Sequence, residues 1–136
     1  MLVELSRFRI KPGKESRVDE WIAMLNARMA EARETLAREK TKVEVIFRER
    51  IGVDEYLYWF SIHDDAAPAA QSQPSAVDKE HLAFHNECLD HDYGRRDAQT
   101  QVVIVPDDVA ASLAWPEPER CAVPWRSREI VYRRRR

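Results

Sequence analysis

Residues 42–63 read KVEVIFRERIGVDEYLYWFSIH, and this stretch decides the fold. From Lys42 to Ile51 the side chains alternate, with Val43, Val45, Phe47 and Ile51 on one face and Glu44, Ile46, Arg48 and Arg50 on the other. A period of two is the mark of a strand. From Glu55 to His63 the run is aromatic and β-branched, and only Gly52-Val53-Asp54 intervenes, so the segments form an antiparallel hairpin. The second of these strands carries large apolar groups on both sides, Tyr56, Tyr58, Phe60 and Ile62 on one and Leu57 and Trp59 on the other. A sheet that contains it needs cover on both faces.

On the N-terminal side, Leu2 to Ile10 is a strand with Val3, Leu5, Phe8 and Ile10 as its apolar members, ended by the turn Lys11-Pro12-Gly13. Val18, Ile22, Leu25, Met29, Ala32 and Leu36 then recur at intervals of 4, 3, 4, 3 and 4, with Trp21 widening the stripe. That spacing predicts one amphipathic helix over residues 15–40, packed on a sheet. On the C-terminal side, residues 66–75 are a proline-containing loop, residues 76–92 a second helix stopped by Tyr93-Gly94, and residues 99–105 a last strand closed by Pro106-Asp107-Asp108.

The order β-α-β-β-α-β predicts an α+β, ferredoxin-like sandwich over residues 1–106, a four-stranded antiparallel sheet with two helices on one face. Residues 107–136 form an irregular C-terminal extension with a basic tail. Within it Trp115-Pro116-Glu117-Pro118 and Val123-Pro124-Trp125 are too proline-broken for a helix, and Glu129 to Tyr132 has the composition of a short strand. Either a second subunit or the Trp115 to Trp125 tail must cover the open sheet face; the expected cover is a second subunit, giving a homodimer with a β-barrel between the subunits that the tail after Pro106 braces.

Composition narrows the function. The 136 residues include only three glycines, Gly13, Gly52 and Gly94, so neither a dinucleotide fingerprint nor a P-loop can be written. No apolar run is long enough to span a bilayer and the start has no secretory signal, which predicts a cytoplasmic protein without a membrane partner. The net charge of −2 divides into +5 for residues 126–136 and −7 for the rest. Arg133 to Arg136 without interleaved aromatics reads as a solvated terminus, so no nucleic-acid partner is expected. Cys88 and Cys121 form no CxxC motif.

Chemistry concentrates on the second helix. His81, His85 and Cys88 fall within about 60° of one another at a helical pitch, between Val77 and Phe84 on one side and Leu82 and Leu89 on the other. Two readings stay open: core histidines with internal partners, or a pair lining a helix/sheet pocket and able to move protons. His91 lies about 80° from His81, so a third imidazole does not converge, and no metal site or cofactor is expected. Among strand residues, Arg7 is the candidate anchor for an anionic ligand and Glu44 the candidate acid or base. Tyr58 and Trp59 point to opposite faces, so only one of them can line the same pocket.

The words Ser6-Arg7-Phe8-Arg9-Ile10-Lys11-Pro12-Gly13, Val43-Glu44-Val45-Ile46-Phe47, Glu55-Tyr56-Leu57-Tyr58 and Asp78-Lys79-Glu80-His81-Leu82-Ala83-Phe84-His85 resemble those of the dimeric α/β-barrel proteins. That group includes L-rhamnose mutarotases and antibiotic-biosynthesis-type monooxygenases, and within it the chain is most similar to an uncharacterised bacterial domain-of-unknown-function family. The resemblance covers about residues 3–105 and implies the fold and the dimer. It departs from the mutarotases in helix one, where Val18 to Arg38 contains no histidine. The combined expectation is a small dimeric protein that binds a polar or anionic metabolite, either as a cofactor-free enzyme of isomerase, mutarotase or monooxygenase type or as a non-catalytic module.

Overall fold

The structure is a computed structural model that describes residues 1–64 and 74–116. Residues 66–73 of the expected loop, Cys121, Val123-Pro124-Trp125, the short strand expected at Glu129 to Tyr132 and Arg133 to Arg136 lie outside the described residues. The hairpin forms as its alternation requires. Strand β2 (Thr41–Ile51) pairs antiparallel with β3 (Asp54–His63), the ladder closing at Ile51↔Asp54, so the connection is Gly52-Val53 alone. Gly52 has a φ of 63° and Val53 does not share the positive sign. That is the type II′ pattern, whose twist matches the flanking strands and which wants glycine first. A register shift between Thr41 and Val43 sits at the far end of the ladder.

Strand β1 (Leu2–Arg9) pairs antiparallel with the other side of β3, from Leu2↔His63 to Arg9↔Tyr56. A two-residue β4 (Arg96–Asp97) adds to β1 through Ser6↔Asp97 and Arg7↔Arg96, giving the sheet order β2-β3-β1-β4. The last strand, expected at residues 99–105, is therefore a correction. The ladder lies at Arg96–Asp97, and residues 98–106 carry no regular structure. Thr100 reaches the Val3 carbonyl with its side-chain hydroxyl at 2.7 Å, so a side chain takes the place of a ladder bond.

The expected helix at 15–40 is divided into α1 (Glu15–Ala27) and α2 (Met29–Arg38). Arg28, at φ −110° and ψ 33°, breaks it. Its guanidinium bridges to Glu31 on α2 and Glu80 on the helix opposite, both at 2.6 Å, while Asn26 donates to the Ile22 carbonyl and competes with the helical ladder. The break lets α1 pack against α3 and α2 lie over β2. Helix α3 (Ala76–Cys88) opens with a capping box in which Ser75 Oγ accepts from Asp78 N–H and the Asp78 carboxylate accepts from Ser75 N–H. It ends earlier than the expected residue 92 because the chain turns extended at Leu89, which bridges to Ile10 and is buried, while Asp90 N–H donates to the Arg9 carbonyl. Leu82, expected on the buried face, is 57% exposed. The extension is also not wholly irregular: α4 (Asp107–Leu113) follows Pro106, with two aspartates in its first turn.

Register sorts the strand residues into two faces. Phe8, Ile46, Leu57 and Trp59 face the helices and meet Val18, Trp21, Phe84 and Cys88 in one core. Val3, Leu5, Val43, Val45, Phe47, Phe60 and Ile62 share the opposite face with Arg7, Tyr56 and Tyr58. Near the hairpin turn, Arg48 and Arg50 both hold the buried Glu55 carboxylate, and Arg48 also reaches Asp19 of α1 at 2.5 Å. This ion network fastens the hairpin to the helix layer.

Candidate functional site

The α1 seam brings Trp21, fully buried, beneath α3. Its ring stacks on Phe84 at 6.2 Å and meets His81 at 5.2 Å, while Trp59 of β3 meets His81 from a second side at 5.3 Å. An indole N–H buried on an apolar face needs an acceptor, and Trp21 Nε1 donates to His81 Nδ1 at 3.1 Å. Because Nδ1 accepts, the neutral imidazole carries its proton on Nε2, the one donor left on that ring. Burial, with repulsion from His85, pushes the His81 pKa down to about 4, so the ring is neutral at physiological pH. His85 lies against Phe8 at 5.6 Å and Trp21 at 6.2 Å. Its pKa is also lowered, first by burial, and its Nδ1 is buried without a hydrogen-bond partner.

Beside these rings the helix layer and sheet leave a cleft of about 460 Å³ and, adjoining it, a smaller one of about 230 Å³. Glu44 and His81 line both. The larger cleft has apolar walls from Ile22, Leu25, Met29 and Leu36, and the smaller adds Ser6, Trp59 and His85. Solvent reaches Glu44 through the cleft, yet the walls remove enough hydration to push its carboxyl above the ordinary range; Trp59 hydrogen bonding offsets part of this and Glu39 adds repulsion. Glu44 has no ion pair among the described residues. Asp78, on the same wall, is by contrast committed to structure: burial would raise its pKa, but Thr35 at 2.5 Å, Ser75 and Arg38 at 2.7 Å hold it low.

Of the residues the sequence nominates, the fold brings Glu44, Trp59, His81 and His85 together and places Arg7 and Tyr58 elsewhere, across the sheet. Arg7 lies over the rings of Tyr56 and Tyr93 at 5.3 and 5.9 Å, its pKa raised by hydrogen bonding to Tyr58 and Tyr93. Tyr58 Oη in turn donates to Glu49 at 2.7 Å. Cys88 is buried in the core, its thiol pushed up by burial and by Glu87, and it lines neither cleft. No group of three or more histidine, cysteine or acidic side chains is poised for a metal among the described residues. Sequence reasoning treats Trp21 as mere width of an apolar stripe. The signal for its role is the conjunction of a buried indole with a histidine on the facing helix. Ser61, Glu4 and Arg95, which complete the smaller cleft, carry no such signal.

This assembly gathers acid–base groups, an apolar wall and one oriented donor around the two clefts. A search of curated proteins finds no match. Residues 1–111 match the model of a family of unknown function, and the chain belongs to that family, DUF6176.

Proposed function

We propose that the helix/sheet cleft binds a small polar molecule with an apolar or ring-shaped body, and that the protein acts on it as a cofactor-free isomerase of the mutarotase kind. The observation that carries this reading is that Glu44 and His81 border both clefts. Glu44 as carboxylate takes a proton from a ligand hydroxyl or carbon acid and returns it at another position, while His81 Nε2–H steadies the oxygen that gains charge. The lining also narrows the ligand. Glu39, Glu44 and Asp78 border the larger cleft, and Arg95, at the rim of the smaller, is shared between Glu4 and Asp97. Such a cleft favours neutral or cationic ligands over anions, and Arg7, the expected anion anchor, is on the other face.

The same reading takes the chain to be a cytoplasmic homodimer of ferredoxin-like subunits. The order β2-β3-β1-β4 and the three helices on one face support the subunit fold, and the apolar residues on the opposite face support the dimer. A binding module without catalysis is the second reading, favoured by the dense aromatic packing of Trp21, Phe84 and Trp59 around the histidines.

The test is NMR titration with small sugars and phenols, their amine analogues and matching carboxylates. Neutral hydroxylated rings should move the Trp21 and Trp59 indole resonances, carboxylates should not, and deuterium from solvent or anomer exchange should report proton transfer that Glu44→Gln abolishes. Unmoved indoles throughout the panel overturn the cleft as a binding site. Binding without exchange leaves the module.

A further inference from the structure

Residues 99–105 read Gln-Thr-Gln-Val-Val-Ile-Val, as strand-competent as any run in the chain, yet no described strand pairs with them. The β1–β4 ladder stops at Asp97. Ala98 N–H still donates to the Leu5 carbonyl at 2.8 Å and Thr100 Oγ1 to the Val3 carbonyl at 2.7 Å, after which the segment leaves the sheet. Val102 is 76% exposed and Ile104 86%. With Val103 at 43% as well, these β-branched residues are open to water on both sides, a strand without its sheet.

The opposite edge of the sheet has the complementary need. β2, at eleven residues, is an edge strand whose outer backbone groups no described strand pairs. Natural sheets guard long edges with charge, proline or bulges. Here the helix-side row of β2 is charged at Glu44, Arg48 and Arg50, but the open-face row is Val43, Val45, Phe47 and Ile51, interrupted only by Glu49. Phe47 is 54% exposed. The arm cannot serve its own β2. It departs from β4, and β1 and β3 intervene, which at strand spacing is about 14 Å across the open face. A second copy removes both deficits at once and reciprocally, since in a two-fold pair each arm finds the other's edge.

We propose that residues 101–105 form an exchanged arm that adds as a strand to the β2 edge of a second copy, with Val102 and Ile104 laid beside Val45 and Phe47. This deepens the dimer reading above and rests on it. Of the possible occupants of that edge, the arm, five residues against the eleven of β2, covers the Val45–Phe47 stretch and matches it in β-branched content, and no described strand pairs with it.

The experiment is light scattering after gel filtration on the full chain, wild type against Val102→Asp/Ile104→Asp and against Phe47→Asp. All three positions are on the surface of the single chain, so far-UV circular dichroism should be unchanged. The wild type should be a dimer, and each variant should dissociate about 100-fold more readily. Oxidation of a mixture of Val102→Cys and Phe47→Cys chains, each with Cys88 and Cys121 replaced by serine, should give a mixed disulfide. A wild-type monomer overturns both the dimer and the arm. A dimer that persists in Val102→Asp/Ile104→Asp, or that yields no mixed disulfide, overturns the arm alone and leaves the edge to the chain's own C-terminal residues or to another protein. Variants that lose their fold also overturn it, because they would place Val102, Ile104 or Phe47 in the interior of one chain.

Discussion

Trp21 Nε1 donates to His81 Nδ1 at 3.1 Å across sixty positions of sequence, and this bond fixes which face of the imidazole is left for the cleft. It also sets the acid sensitivity of the fold. Protonating Nδ1 would put two donors face to face in a site enclosed by indoles. The His81 pKa, lowered from 6.5 to about 4, means that the unfolded chain binds a proton over that interval while the folded chain does not. Stability therefore falls as pH drops from 6.5 toward 4, by up to about 3 kcal/mol for this ring. His85, also lowered, adds in the same direction, and Glu44, raised, opposes it. Below that window the carboxylates held low take over the loss, Asp78 by hydrogen bonds from Thr35 and Ser75 with Arg38 beside it, and Glu55 by Arg50 and Arg48. Urea midpoints at pH 7, 5.5 and 4.5 check this: His81→Gln, which keeps an acceptor for the indole, should flatten the upper part of the curve.

The bond itself can be cut with little change of shape. Trp21→Phe keeps an aromatic ring on Phe84 but removes the donor and some volume, and should cost about 2 kcal/mol. His81 should then exchange freely between its tautomers, which nitrogen-15 shifts of the ring report. Unchanged shifts in Trp21→Phe would mean that something else holds the ring.

The hairpin and the Val18-Trp21 face of α1 were legible because period and turn chemistry act locally: Gly52 between two alternating runs leaves little choice of connection. The errors came where long-range contacts outweighed local pattern. Helix α3 looks able to continue past Cys88, but Leu89 gains more by closing the core against Ile10 than by another helical turn. Arg28 has good helix propensity, and no local rule shows that Glu80, fifty-two positions away, will draw its side chain across to α3. For the site, facing directions in the strands were legible, which is why Trp59 and Tyr58 separated correctly, while the choice of face for Arg7 needed Tyr93 and Arg96, contributed by a loop and a strand that periodicity misplaces.

The hairpin base offers a test of the fold independent of the cleft. Glu55 is 7% exposed, and although burial alone would raise its pKa, Arg50 and Arg48 hold it below the ordinary range. Glu55→Ala strands two guanidinium groups and should cost about 2 kcal/mol, whereas Arg50→Ala, which removes the more exposed partner, should cost about 0.5 kcal/mol. Urea unfolding of the two variants separates them; equal losses would show that the network contributes only as a surface pair.

Filling the larger cleft distinguishes a binding site from an idle groove. Ala32 lines it from α2, so Ala32→Phe puts a ring into the space beside Leu36 and Met29 while leaving the Glu44 and His81 side chains unsubstituted. The helix loses about 0.5 kcal/mol of propensity, and the newly buried ring returns a comparable amount, so stability should change by less than about 1 kcal/mol. Ala37→Phe, on an exposed position of the same helix, carries the propensity loss without entering the cleft. Titrated with the hydroxylated rings, Ala37→Phe should move the Trp59 and Trp21 indole signals as the wild type does, and Ala32→Phe should leave them still. If Ala32→Phe binds as the parent does, ligands enter through the smaller cleft between Ser6, Trp59 and His85, and the apolar wall of α2 serves packing alone.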